Sequence, residues 1–196
     1  MKKGDYLKII LKSNQTVFSF REILFLWEEK DKKAAISRIN YYIKNKQLIR
    51  LRRGLYAKSA DYNKYEVANK IYIPSYISFE TVLQDEGMVF QGYTSIFVAS
   101  YKTKDVIING QKYCFRTIRD ITLTNHRGVY QKDGVWIASA ERAFLDTLYL
   151  NKDYYFDNLS VLDWEKVNEL LFIYSNNKRM TRIVKELEEL SKNNIK

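Results

Sequence analysis

The chain has 196 residues, 46 % apolar and 29 % charged, with one cysteine, one histidine, one proline and a formal net charge of +10. That composition belongs to a folded chain rather than a disordered one, and a lone cysteine and lone histidine exclude an internal disulfide and a His-rich metal site. No apolar run approaches the roughly 20 residues needed to span a bilayer. No apolar signal core follows the lysines near Met1, so the expected location is the cytoplasm, with no membrane partner. The charge is segregated: the first 58 residues carry fifteen Lys and Arg against five Asp and Glu, and the remainder carries eighteen of each. A general enrichment in Lys, Asn, Ile and Tyr would act on both parts alike. A compact basic module points instead to the phosphate backbone of nucleic acid.

Tyr6, Ile9 and Ile10 recur at helical spacing and predict a first helix over about 5–13, ended by Ser13-Asn14-Gln15. Ser19 followed by Glu22 is a capping-box signature for a short second helix over 20–27. Past the charged turn at 28–31, a third helix is expected over about 32–45, with Ala35, Ile36, Ile39, Tyr42 and Ile43 as its apolar stripe. Lys33, Ser37, Arg38, Asn40, Tyr41 and Lys44 then fall on the opposite face. These are the side-chain types that reach phosphates and base edges, although a solvated helix face would have the same composition.

Residues 48–52 alternate apolar and basic, Arg53-Gly54 supplies a turn, and 55–57 resume an extended strand, which reads as a β-hairpin. Three helices followed by an arginine-rich hairpin is the order of a winged helix-turn-helix, whose third helix enters the major groove while the wing lies along the backbone. Residues 1–60 are therefore expected to form a winged helix-turn-helix DNA-binding domain. Its expected DNA contacts are Lys33, Ser37, Arg38, Tyr41 and Lys44 on the third helix, and Arg50, Arg52 and Arg53 on the wing. Arg38 is the expected base reader, and Arg52 and Arg53 the expected backbone grips.

Residues 61–196 read as an α+β domain that ends in helices. A short helix over 66–71 is closed by Pro74, and Ser78 is the expected cap of a helix ending at Gly87. Strands are expected over 96–99, 105–108, 112–117, 121–124 and 135–138, with Asn109-Gly110 as the strongest hairpin signal. Cys114 alternates with Tyr113 and Phe115, as a packed core thiol does. Ser139 and Asp163 are expected to cap helices over 140–150 and 163–174, and a last helix over 178–192 carries the stripe Met180, Ile183, Val184, Leu187 and Leu190. That stripe serves either core packing or docking.

No catalytic set is expected. Gly92-Tyr93-Thr94-Ser95 with Asp105 is a loose shadow of a nucleotidyltransferase site, lacking a second glycine and a second carboxylate two residues after Asp105. Arg142 and Asp146, four apart on one helix, face each other and read as an ion pair tying that helix to a neighbouring strand. No metal or cofactor is implied.

Several runs together resemble the AbiEi family: Arg53-Gly54-Leu55-Tyr56-Ala57, Ala68-Asn69, Pro74-Ser75-Tyr76-Ile77-Ser78 with Glu80-Thr81 and Leu83, and the stretch from Ala138 to Leu148. The likeness covers about residues 18–150, with Ala140 and Val82 departing from the family's usual proline and alanine. This resemblance implies an antitoxin and transcriptional autorepressor of an abortive-infection toxin-antitoxin operon of type IV. Such a protein binds inverted repeats in double-stranded DNA at its own promoter, as a monomer or a DNA-induced dimer. It opposes a nucleotidyltransferase-like toxin without a stable complex. A module that neutralises the toxin by direct contact is the alternative.

Overall fold

The structure, a computed structural model, describes residues 5–175 and 177–193. Residues 1–4, which hold the lysines read above as lacking a signal core, lie outside the described residues. Helices and two sheets make this a mixed α+β protein, and among the described residues no helix is long and apolar enough to cross a membrane.

The first part runs α1 (Asp5–Lys12), β1 (Val17–Ser19), α2 (Phe20–Leu26), α3 (Lys32–Lys44), β2 (Ile49–Arg52) and β3 (Leu55–Ala57). The caps set the helix starts. The Ser19 hydroxyl accepts from the Glu22 amide, and the Glu22 carboxylate accepts from the Ser19 amide at 2.6 Å. Asp31 accepts from the amides of Lys33 and Ala34 at the start of α3. β1 is an addition to the expected elements: three residues are too few to show an alternation, yet they pair with β3 and complete an antiparallel sheet of order β1-β3-β2. Ile10, Phe18, Ile23, Trp27, Ala35, Ile39, Tyr42, Leu48 and Tyr56 form the apolar cluster beneath. Ile36, expected in the apolar stripe of α3, is 46 % exposed. Only the seam of Ala35, Ile39 and Tyr42 is buried, so the packed stripe is one residue narrower than the pattern suggests.

The second part continues with α4 (Lys64–Ile71), β4 (Ser75–Ile77), α5 (Glu80–Asp85), β5 (Ile96–Ser100), β6 (Lys104–Ile108), β7 (Gln111–Thr117) and α6 (Asp120–Leu123). β8 (Val129–Lys132), β9 (Val135–Ala138), α7 (Ala140–Leu150), α8 (Trp164–Leu171), a 3-10 turn (Phe172–Tyr174) and α9 (Lys178–Asn193) complete it. Six strands form a mixed sheet of order β6-β7-β5-β4-β9-β8. The β6–β7 and β8–β9 hairpins turn through Asn109-Gly110 and Asp133-Gly134, with positive φ at both residues of each pair.

Two expectations are corrected here. Residues 121–123 lie in α6 rather than a strand, with Thr124 as its C-cap, and the Asp133-Gly134 turn instead joins β8 to β9. β4, only three residues long, gives no sequence signal. Ser78 caps nothing: α5 begins after Phe79, at φ 55 and without a side-chain cap, while the Ser78 hydroxyl donates to Asp146 at 2.8 Å. The expected caps Ser139 and Asp163 do accept from the first turns of α7 and α8. Cys114 is buried as expected, and burial pushes its thiol pKa up.

Arg142 and Asp146 of α7 have side chains that are 0 % exposed, with Arg142 Nε 3.4 Å from Asp146 Oδ1. The carboxylate also accepts from the hydroxyls of Tyr76 at 2.9 Å, Ser78 at 2.8 Å and Tyr174 at 2.7 Å. The guanidinium donates to the carbonyls of Thr122 at 2.7 Å and Arg127 at 2.9 Å and to the Tyr76 hydroxyl at 3.0 Å. Burial works against its charge, but Tyr174, Asp146 and Tyr76 outweigh that, so the Arg142 pKa is raised. Gly128 passes so close that an added Cβ would stand 2.9 Å from a Leu170 methyl and 3.0 Å from Arg142 Cβ, at a φ of +70°.

The two parts share a core. Val17, Leu51, Leu55 and Ala57 of the first sheet belong to the same apolar cluster as β4, β5, β7 and α7. The buried Glu66 of α4 accepts from the Thr16 amide at 2.9 Å and the Val17 amide at 2.8 Å. Lys70 of α4 pairs with Glu22, the capping residue of α2.

Replacing Arg142 with Met leaves Asp146 buried without its counter-charge and is expected to cost about 3–5 kcal/mol, read as a lower urea midpoint. Glu22 supplies a pH dependence. Burial raises its pKa, but the bonds from Lys70 and Ser19 outweigh burial and hold it below the usual carboxylate value. A lowered folded-state pKa gives stability that is present above the unfolded value of about 4.3 and is lost as pH falls through the folded one. Glu22→Gln should flatten that acid limb in unfolding curves taken across it.

Candidate nucleic-acid interface

The outward face of α3 is built by what its inward seam excludes. With Ala35, Ile39 and Tyr42 packed inside, the helical period places Lys33, Ile36, Ser37, Asn40, Tyr41 and Lys44 in one exposed stripe of neighbours three and four apart. Tyr41 is 56 % exposed and leans edge-on against buried Tyr42, with ring centroids 5.6 Å apart. Each end of the stripe carries a lysine, Lys33 after the Asp31 cap and Lys44 in the last turn.

The β2–β3 hairpin stands beside this stripe. Leu51 points into the core while Arg50 and Arg52 point out, and Arg53 occupies the turn. A register irregularity between Arg50 and Arg52 adds twist to the hairpin. Arg50 donates to Asn40 Oδ1, tying hairpin to helix, and the Gly54 carbonyl accepts from the Phe20 amide at 2.9 Å, tying the turn to α2. Among the described residues, Lys33, Lys44, Arg52 and Arg53 make no ion pair. Their charges face outward unneutralised.

Seven of the eight expected contact residues therefore lie on one continuous exposed surface, and Arg38 does not. Its guanidinium sits 3.8 Å above the Tyr6 ring and 5.7 Å from that of Trp27, and it donates to Glu29 at 3.0 Å. That bond holds the Glu29 carboxyl below its usual range. Residue 38 lies at the border of the stripe, turned toward α1 and the 28–31 turn, and the aromatic pair there captures it. Arg38 is thus corrected from base reader to clamp between α1 and α3. Ile36 takes a place in the exposed stripe that its apolarity concealed, and its methyls suit contact with a thymine methyl. Asn40, bonded through Oδ1, keeps its amide N–H groups facing out.

In the second part, Asp105 is the carboxylate of the loose nucleotidyltransferase pattern. Asp105 lies on the exposed β6 and is paired with Lys112 at 2.9 Å and Arg116 at 3.0 Å, which hold its carboxyl low. Among the described residues no His/Cys/Asp/Glu group could hold a metal ion.

If Arg38 is a clamp, Arg38→Ala should lower the thermal midpoint, the stacking on Tyr6 alone contributing about 1 kcal/mol. Arg38→Lys should restore little of it, because an ammonium lacks the planar face that stacks. Thermal unfolding of the two variants checks this. Compared with known proteins, the chain matches no family model and no curated protein.

Proposed function

We propose that the first part of the chain is a winged helix-turn-helix that binds double-stranded DNA, with α3 in the major groove and the β2–β3 hairpin as the wing. The observation that carries this reading is the join between Asn40 of α3 and Arg50 of the hairpin. It joins a polar helix stripe to an arginine-bearing turn, and Lys33, Lys44, Arg52 and Arg53 on this surface make no ion pair among the described residues. A helix that serves only as a solvated face needs no such register with a hairpin. The order α1-β1-α2-α3-β2-β3, with β1 as the third strand of the small sheet, supports the same reading.

Together with the resemblance to AbiEi proteins, this surface supports an autorepressor and antitoxin that binds its own promoter and acts in an operon with a nucleotidyltransferase-like toxin. In the proposed complex, Ser37, Asn40 and Tyr41 meet base edges and Ile36 meets a thymine methyl. Lys33, Lys44, Arg52 and Arg53 neutralise phosphates. The two sets differ in what they give: the first supplies discrimination between sequences, the second affinity for any duplex.

Binding of the full chain to its upstream promoter fragment and to a scrambled fragment, from about 50 to 200 mM salt, tests the proposal. Preference for the promoter should persist as both affinities fall; equal affinity for the two fragments would sink the sequence-reading role. Arg52→Ala/Arg53→Ala should weaken both fragments alike and reduce the salt slope by about 1–2. Ser37→Ala, which leaves the Asn40–Arg50 join intact, should cost about 1 kcal/mol on the promoter and little on scrambled DNA.

A further inference from the structure

At the surface of the second part, the 88–93 and 153–158 segments are sewn together. The Asp157 and Asn158 amides donate to the Met88 carbonyl at 2.9 and 3.2 Å, and the Phe90 amide donates to Asp157 Oδ2 at 2.8 Å. Phe156 anchors the second segment in the core, its ring 4.9 Å from that of Phe144 and 4.8 Å from that of Tyr154. These two segments wall a cavity of about 490 Å3 with Phe90, Tyr93, Tyr154, Tyr155, Asp153 and Asp157 among others. A second cavity of the same volume shares Tyr154, Tyr155 and Asp157 with the first and is lined also by Leu159, Leu187 and Leu190. Phe90 is 73 % exposed, Tyr155 79 % and Leu190 56 %. Large apolar side chains gathered in solvent on a pinned frame point to a binding surface.

The walls narrow the chemistry. Four aromatic rings and two carboxylates line the first cavity, and neither cavity has a Lys, Arg or His in its wall, in a chain whose formal net charge is +10. Among the described residues Asp153 and Asp157 make no ion pair, and no cation of the chain lies over these rings. Aromatic faces beside carboxylates attract a cation. A guanidinium suits them best, because its plane stacks on a ring while its edge bonds a carboxylate. The protein uses that combination internally, where Arg38 lies over Tyr6 and donates to Glu29.

We propose that the two joined cavities dock a segment of a partner protein, with an arginine side chain in the aromatic cavity and an apolar side chain in the leucine-lined one. The guanidinium meets the Tyr155 ring and the Asp153 carboxylate, and the apolar side chain meets Leu187 and Leu190. A free small cation would leave the leucine-lined half bare, which favours a polypeptide as occupant. This assignment stands apart from the DNA-binding reading and survives its failure.

The test uses the full chain, titrated calorimetrically and by NMR with acetyl-Arg-(Gly)n-Leu-amide peptides. They carry one to four glycines, which at about 3.3–3.6 Å per residue cover the separations that two adjoining cavities allow. At least one peptide is expected to bind one-to-one with Kd at or below about 1 mM. Its citrulline counterpart, which keeps the shape and loses the charge, should bind about fivefold more weakly, and its lysine counterpart should fall between. Tyr155→Ala and Asp153→Asn should each weaken binding about two- to fivefold without moving the thermal midpoint, since both side chains are exposed. Leu190→Ser should weaken the peptide and leave acetyl-arginine amide unchanged. No binding by any of the peptides, equal binding of the citrulline form, or undiminished binding in the Tyr155→Ala/Asp153→Asn double variant overturns the proposal. Spermidine or acetyl-arginine amide binding as tightly as the best peptide would make this a small-cation site and overturns the partner. So does a dimer, seen in sedimentation of the chain alone, that Tyr155→Ala dissociates, since the occupant would then be a second copy.

Discussion

One guanidinium holds the second part of the protein together. Arg142 is buried where an isolated charge would be strongly disfavoured, and it is tolerated because Asp146 on its own helix lies beside it as counter-charge while its two terminal nitrogens donate to Tyr76 on β4 and to the carbonyls of Thr122 and Arg127. These contacts fix α7 against the centre of the sheet and fold the 122–128 segment over its end. Apolar packing alone would let α7 slide along the sheet, whereas a hydrogen-bonded ion pair admits one register.

The first part is positioned by a carboxylate used in a different way. Glu66 accepts the amides of Thr16 and Val17, the donors at the start of β1 that no strand satisfies. β1 then completes the small sheet, and the small sheet carries the hairpin. Glu22 extends the chain of dependence by capping α2 and pairing with Lys70 of α4. The basic surface is in this sense held from behind, by acidic residues that point away from it.

Much of this was legible in the sequence because the relevant signals are local. Ser19 with Glu22, Ser139, Asp163, Asn109-Gly110 and the i, i+4 pair of Arg142 and Asp146 each express a rule that operates within a few residues. What escaped depends on distant partners. β1 and β4 are three residues long and exist because of strands far away in sequence. Ser78 looks like a cap until Asp146 claims its hydroxyl. Arg38 looks like a free cation until α1 brings Tyr6 over it, and Ile36 looks like core until the helix rotates it outward. Composition and period state which face a residue can occupy. They do not state which competitor reaches it first.

The shared core has a consequence for how the protein comes apart. Val17, Leu51, Leu55 and Ala57 lie in the strands that carry the basic hairpin, yet their side chains are packed among residues of the larger sheet and α7. Cutting the chain near residue 60 would leave an apolar face of the small sheet bare and Glu66 severed from the amides it serves. The basic module thus has two apolar sides, one packed on its own helices and one resting on the larger sheet, and a fragment carrying it alone would bare the second to self-association.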